Sequence, residues 1–149
     1  DSFHRTRSSP DGKPIIACLN EAIADAGLAP DQIDYVNAHG TSTPENDKME
    51  CLGLTTVFGP RAGEVPISSN KSMIGHTLSA AGAVEAIFTL MTLDRQRIPP
   101  TINHVVPDPT IALDVVPNTA RDARVRHAIS NSFGFGGQNA TLVLSREPA

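Results

Sequence analysis

Ser69-Asn-Lys-Ser-Met-Ile-Gly-His-Thr-Leu-Ser-Ala-Ala-Gly-Ala-Val-Glu85 follows a short apolar strand, Val65-Pro66-Ile67, and runs on into a segment rich in Ala, Leu and Ile. Strand, loop and apolar helix in immediate succession are the building unit of an alternating α/β sheet. A loop is predicted from Ser69 to His76 and a helix from Ser79 to Arg95. The helix is apolar on nearly every side, the pattern of one buried in the middle of a fold. Arg95 and Arg97 at its end complement the helix dipole, and Pro99-Pro100 prevents continuation. The stretch also gathers a cation, a base and a carboxylate, Lys71, His76 and Glu85, into one loop-then-helix unit. That grouping points to chemistry beyond packing.

The same plan recurs on the N-terminal side. Residues Asp1 to Lys13 are polar and without periodicity, so they read as a connecting loop. From Pro14 to Ala26 the apolar residues recur at three- and four-residue spacing, with Pro14 in the first turn and Gly27 past the end, which predicts an amphipathic helix. A strand over Ile33 to Ala38 stops abruptly in His39-Gly40-Thr41-Ser42-Thr43-Pro44. This places His39 at the strand's carboxyl end, where open α/β sheets form their ligand crevices. A helix from Glu45 to Phe58 follows, acidic at its start and closed by Gly59-Pro60.

On the C-terminal side, Thr101 to Asp122 reads as an extended crossing segment punctuated by prolines, with a short strand at Leu113 to Val116. Strands over Arg126 to Asn131 and Ala140 to Leu144 flank Ser132-Phe-Gly-Phe-Gly-Gly137 and form a hairpin. The expected architecture is α/β: one domain over residues 1–149, a mixed sheet with a buried helix and a closing β-hairpin.

A chain of 149 residues buries roughly two-thirds of the surface it exposes unfolded, so it holds a core of its own. With 40% hydrophobic and 19% charged residues and a net charge of −4, disorder and general nucleic-acid affinity are excluded. Cys18 lies beside the apolar stripe of the first helix and Cys51 inside the second. Neither has a metal-ligand spacing, so both read as reduced core cysteines and no metal or disulfide is expected. No apolar run reaches the roughly 18 residues of a membrane span, and no signal pattern opens the chain. The expectation is a cytoplasmic protein without a membrane partner. Because it opens at Asp1 in loop-like sequence, the chain is expected to be a piece of something longer.

Three loops carry unusual residues: His39 with Thr41 and Thr43, Lys71 with His76, and Phe133 with Phe135 among glycines. If their strands are neighbours, the loops converge on one sheet edge. Two neutral imidazoles there donate hydrogen bonds to a carbonyl oxygen that becomes negative in a transition state, which suits an enolate. Lys71 is placed to hold a carboxylate or to bias the histidines toward neutrality. Glu85, nine residues beyond His76, is placed to pair with it. The Phe133 to Gly137 segment lacks the Lys-Ser or Lys-Thr ending of a P-loop. It reads instead as backbone N–H groups offered to an oxyanion, with the phenylalanines walling an apolar cavity. Thr41 and Thr43 are placed to meet an amide-bearing ligand; loop capping is their ordinary alternative.

The combination of His39-Gly-Thr-Ser-Thr, Asn70-Lys71-Ser-Met-Ile-Gly-His76 with Ala80-Ala81-Gly82 and Glu85, and Asn131-Ser-Phe-Gly-Phe-Gly-Gly137 resembles the β-ketoacyl-acyl-carrier-protein synthases. These are elongating condensing enzymes of the thiolase fold, and the likeness is to their C-terminal half. The resemblance implies decarboxylating Claisen condensation of an acyl thioester with malonyl-acyl-carrier protein, in fatty-acid or polyketide elongation. It implies His39 and His76 as the catalytic histidines and Lys71 as the active-site lysine, supported by Glu85. The oxyanion hole and acyl or malonyl pocket fall to Phe133, Phe135 and Gly136, and pantetheine binding to Thr41 and Thr43.

No cofactor is implied, since the substrates ride on the phosphopantetheine of an acyl carrier protein. The implied partners are that carrier, an N-terminal half bearing the nucleophilic cysteine, and a second ketosynthase unit in a homodimer or heterodimer. Residues 1–13 would be the connection from that half. Neither Cys18 nor Cys51 occupies the strand-to-helix position of the family's nucleophile. A non-catalytic partner resembling a chain-length factor, or an inactive fragment, is the alternative. Arg95, Arg97, Arg121, Arg124 and Arg126 are candidates for carrier docking or are ordinary solvated charge. Asn70 and Gln138 depart from the family's usual residues and bear on substrate detail.

Overall fold

Gly12, at a φ of 67°, turns the chain into α1 (Lys13–Asp25) in the computed structural model, which describes residues 1–147. Ile15, Leu19 and Ile23, one turn apart, form its buried stripe. A 3₁₀ turn at Pro30–Gln32 leads to β1 (Tyr35–Asn37), and Thr43 caps α2 (Pro44–Phe58) by accepting the Asn46 N–H at 3.3 Å. The two helices pack closely because Gly53 has no side chain; a Cβ there would meet Ile15 Cγ2 at 2.7 Å.

The chain continues through β2 (Ile67–Ser68), α3 (Lys71–Ile74), a 3₁₀ turn at Leu78–Ala80 and α4 (Ala81–Arg95). It ends with β3 (Arg97–Ile98), β4 (Arg121–Asp122), β5 (His127–Phe133) and β6 (Asn139–Ser145). Four strands make one mixed sheet in the order β2-β1-β5-β6. β1 lies parallel to both β2, with Val36 opposite Ile67, and β5, with Val36 opposite Ile129. β5 and β6 close the edge as the expected antiparallel hairpin.

Alternation along the strands separates two cores. Val36, Ala38 and Ile129 face Ile15, Leu19, Met49 and Leu54 of α1 and α2. Tyr35 and Ala128 face Leu93 of α4, with Ile98, Val116 and Val125. Gly82 lets α4 lie close on β5, since a Cβ would stand 3.3 Å from Ser132 Oγ.

Four expectations are corrected. The Ser69–His76 loop contains α3, which Asn70 enters with helical dihedrals and Gly75, at φ 72°, ends. No strand forms at Leu113–Val116; isolated bridges join Pro66 to Asp114 and Thr101 to Pro117. Proline has no N–H to extend a ladder, and Val116 at φ 45° breaks the extended course. Helix α4 stops at Arg95 on a left-handed Gln96, so Arg97 is a strand residue, paired with Asp122. Finally, α4 is covered on one face only. Ala81, Glu85, Thr89, Thr92 and Leu93 are buried, while Ile87, Leu90 and Met91 of its opposite apolar face are exposed in this chain. One sheet buries one helix face, which is why the all-round apolar pattern is half satisfied.

Among the described residues, no helix is long and apolar enough to cross a membrane. Nor does any cluster of three or more His, Cys, Asp or Glu have an arrangement to hold a metal ion.

Candidate functional site

His39 stands two residues past β1 and is 8% exposed. Its backbone N–H donates to Glu50 Oε1 at 3.0 Å, and that of Gly40 to Glu50 Oε2 at 2.9 Å. The carboxylate, buried on α2, also accepts from Asn131 Nδ2 at 3.1 Å and Asn46 Nδ2 at 3.3 Å. Burial pushes the Glu50 carboxyl up, and these four donors oppose the shift. Ser69 Oγ donates to the Gly40 carbonyl at 2.7 Å, so the loops after β1 and β2 are tied together.

The His39 ring lies 5.5 Å from that of His76 at an interplanar angle of 85°, and 5.8 Å from Phe133. Burial first, then the Lys71 charge and His76, lower its pKa to about 4, so the imidazole is neutral near pH 7. The exposed His76 accepts the Leu78 N–H on Nδ1 at 3.1 Å. In its neutral form the ring therefore carries its proton on Nε2, as a donor.

Lys71 opens α3 and forms a buried ion pair with Glu85 of α4, their side chains 5% and 1% exposed. Glu85 thus pairs with Lys71, as the family resemblance implies, and not with His76, the partner that spacing alone suggests. Burial raises the Glu85 carboxyl, and the lysine opposes that. With His39 and Phe133, these residues meet at the carboxyl ends of β1 and β2 and the hairpin end of β5, the convergence that the loops lead one to expect.

The glycine-rich turn is more selective than its composition suggests. The Gly134 N–H bonds the Gln138 carbonyl, that of Gly136 bonds the Arg5 carbonyl, and that of Gly137 bonds the Gly134 carbonyl. Gly136 therefore offers no free donor, whereas the Phe135 N–H makes no hydrogen bond among the described residues. The Phe135 ring is 82% exposed and walls no cavity within this chain. A cavity of about 540 Å³ lies instead beside the His39 loop, lined by Ser42, Asp47, Cys51, Val106 and Leu113. Thr41 and Thr43 share a 3.0 Å hydrogen bond at the surface, and Thr43 also serves as the α2 cap.

Cys18 and Cys51 are free and half-buried within helices. Burial pushes the Cys51 thiol up, the reverse of nucleophile activation. Arg97 and Arg121 are paired with Asp122 and Asp114, while Arg95, Arg124 and Arg126 form no ion pair among the described residues.

Sequence reasoning missed Glu50 and Asn37. The signal for Glu50 was present: it shares the buried face of α2 with Met49, Gly53 and Leu54, so an acid occupies a core position. Asn37 is a fully buried amide at the end of β1, two residues before His39.

Residues 1–105 match the family described as β-ketoacyl synthase, C-terminal domain. The chain is 47% identical over 146 residues to a 3-oxoacyl-[acyl-carrier-protein] synthase 2 of Coxiella burnetii, covering 98% of this chain and 35% of that protein. Among solved structures it resembles a type II polyketide ketosynthase, bound to a hexaketide and complexed with its acyl-carrier protein. That likeness has a TM-score of 0.94 and 36% identity over 97% of this chain and 36% of the other. It also resembles the ishigamide ketosynthase/chain length factor, with a TM-score of 0.91 and 41% identity over 97% and 35%. The chain spans about a third of the length of the relatives it matches.

Proposed function

The chain belongs to the β-ketoacyl synthase family, as its C-terminal domain with the thiolase-like fold, and from that premise we propose that it carries the enolate-stabilising half of a condensing site. The observation behind this reading is the meeting of two histidine rings, a buried Lys–Glu pair and one free backbone N–H at a single sheet edge.

In the proposed reaction a malonyl thioester on an acyl carrier protein loses its carboxylate as CO₂. The electron pair of the broken C–C bond becomes an enolate, whose oxygen accepts hydrogen bonds from His76 and from the neutral His39. The enolate carbon attacks an acyl thioester held on a cysteine of the N-terminal half. A C–C bond forms, and after collapse of the tetrahedral intermediate the C–S bond breaks and the cysteine leaves as thiolate. The Phe135 N–H serves as one donor to the oxyanion of that intermediate.

Lys71, held by Glu85, keeps a positive charge close to His39 and disfavours its protonation. Phe133 packs beside His39 on the malonyl side, and Thr41 and Thr43 exchange their mutual hydrogen bond for the pantetheine arm. No cofactor takes part. The partners are the carrier protein, the cysteine-bearing half and a second ketosynthase unit.

A chain-length-factor-like role is the second reading, motivated by the ketosynthase/chain length factor pair among the similar structures. The presence of His39, Lys71 and His76 together favours the catalytic member. The deciding experiment combines this chain with the N-terminal half and measures decarboxylation of malonyl carrier protein. Activity is expected, with losses for His39→Ala and His76→Ala. An unchanged rate in either variant would overturn the roles assigned.

A further inference from the structure

We infer that Asn37 is a positioning residue that sets where the Lys71–Glu85 pair stands relative to His39. The inference rests on the condensation reading above. Alternation along β1 puts Tyr35 and Asn37 on one face of the sheet, the face that packs on α4, and His39 follows two residues after Asn37. Asn37 is fully buried there, out of reach of any substrate.

Its side-chain nitrogen donates to Asn70 Oδ1 at 2.6 Å, to Thr89 Oγ1 at 3.1 Å and to the Glu85 carbonyl at 3.2 Å. A backbone carbonyl only accepts, so Nδ2 is the atom that faces α4, and it follows that Asn70 presents Oδ1. Thr89 Oγ1 donates to the same Glu85 carbonyl at 2.8 Å, which is therefore held from two sides.

One amide thus joins three elements. They are the strand whose end carries His39, the residue that leads into Lys71, and the turn of α4 that carries Glu85. The Lys71 charge acts on His39 through space, and such an interaction depends directly on separation. Losing the amide leaves the ion pair in place but frees the distance between it and His39. Every acceptor that the amide nitrogen reaches belongs to the segments bearing Lys71 and Glu85, while Oδ1 is buried without a partner among the described residues.

The test is a cycle in this chain combined with the N-terminal half, comparing wild type, Asn37→Leu, Lys71→Ala and the double variant, with His39→Ala as reference. Malonyl carrier decarboxylation is read as separate kcat and KM values. Displacements near one ångström in a reacting constellation cost on the order of 100-fold, so Asn37→Leu is expected to lower kcat by roughly 30–100-fold with KM within about twofold. In the Lys71→Ala background the same change is expected to cost less than about threefold, since the pair it positions is gone.

Equal losses in both backgrounds would mark a merely structural role and overturn the inference, as would a folded Asn37→Leu with near wild-type kcat. If Asn37→Leu does not melt cooperatively, Asn70→Ala removes the other end of the shortest bond and goes through the same cycle, with the same two outcomes. Should His39→Ala also leave decarboxylation intact, the condensation reading itself fails. Should His39→Ala be inactive while Asn37→Leu is not, only the present inference falls.

Discussion

The rings of His39 and His76 meet edge to face, with centroids 5.5 Å apart and planes 85° apart, one ring buried and the other open to solvent. The asymmetry divides their properties. His39 lies against Phe133 and is held neutral by burial and the Lys71 charge, whereas His76 accepts the Leu78 N–H on Nδ1.

The neutral state of His39 has a consequence for acid stability. Its pKa falls from an unfolded value of 6.5 to about 4 in the folded chain. Between those values the unfolded state binds the additional proton, so stability falls as pH drops from about 6.5 toward 4. The full shift corresponds to about 3 kcal/mol at most. The raised carboxyls of Glu50 and Glu85 act in the opposite sense, contributing stability in acid that is lost as pH rises. The test therefore takes a difference: denaturant unfolding at pH 7 and pH 4 for this chain joined with the N-terminal half and for its His39→Asn variant. The wild type should lose more than the variant on acidification. Parallel losses would contradict a buried neutral His39.

The Lys71–Glu85 pair should be sensitive to single changes and tolerant of paired ones. Breaking a buried pair by removing one partner costs about 3–5 kcal/mol, whereas replacing both by apolar residues of similar volume is often neutral or better. Lys71→Met and Glu85→Leu, each alone, are thus expected to lose several kcal/mol in equilibrium unfolding. Together they should recover most of it while decarboxylation stays as low as in the Lys71 single variant. A double variant no more stable than the singles would show that the pair's worth is not electrostatic.

Glu50 offers a sharper substitution, because Glu50→Gln keeps the shape and changes only the bonding. Each carboxylate oxygen receives two donors, so wherever the new amide nitrogen points it confronts an N–H from the His39–Gly40 turn and an asparagine NH₂. The expected loss is about 3 kcal/mol, one charge-assisted bond gone and a buried donor left bare. Glu50→Asp, which keeps the charge but retracts it, should lose less. If Glu50→Gln unfolds at the wild-type denaturant midpoint, the four-bond arrangement contributes nothing to holding the turn.

How much of this was readable from the chain depends on whether the determinant was local. Helices α1 and α2 and the closing hairpin follow from periodicity, capping and turn chemistry within ten or so residues, and they formed where expected. The convergence of His39, Lys71 and His76 was readable because each follows or joins a strand. The pairing of Glu85 required knowing which residue of α3 faces α4, and spacing pointed to His76 instead of Lys71. Consumption of the Gly136 N–H by Arg5 is a contact between residues 131 positions apart, with no trace in the turn itself. Buried Asn37 and Glu50 read as ordinary polar residues until the layers on both sides of the sheet are in place.

Gly40 brings the local and the long-range together, and its substitution separates them. Its φ of 47° lies in the left-handed region, and a Cβ added there would stand 2.5 Å from Ser69 Cβ and 2.6 Å from Ser69 Oγ. Backbone strain is expected to cost roughly 1–2 kcal/mol and the overlap a further 1–3 kcal/mol. Only the second part depends on Ser69. Gly40→Ala in this chain joined with the N-terminal half should therefore lose about 2–5 kcal/mol in denaturant unfolding, and adding Ser69→Gly should restore the overlap share less the Ser69 hydrogen bond to the Gly40 carbonyl. Because Gly40 follows His39 and shares its Glu50 anchor, the decarboxylation rate should fall further than the stability loss explains, on the order of 100-fold for a shift near one ångström. A Gly40→Ala synthase that keeps its rate while losing stability would mean that the His39 ring is held from elsewhere, and that the tie between the two loops serves folding only.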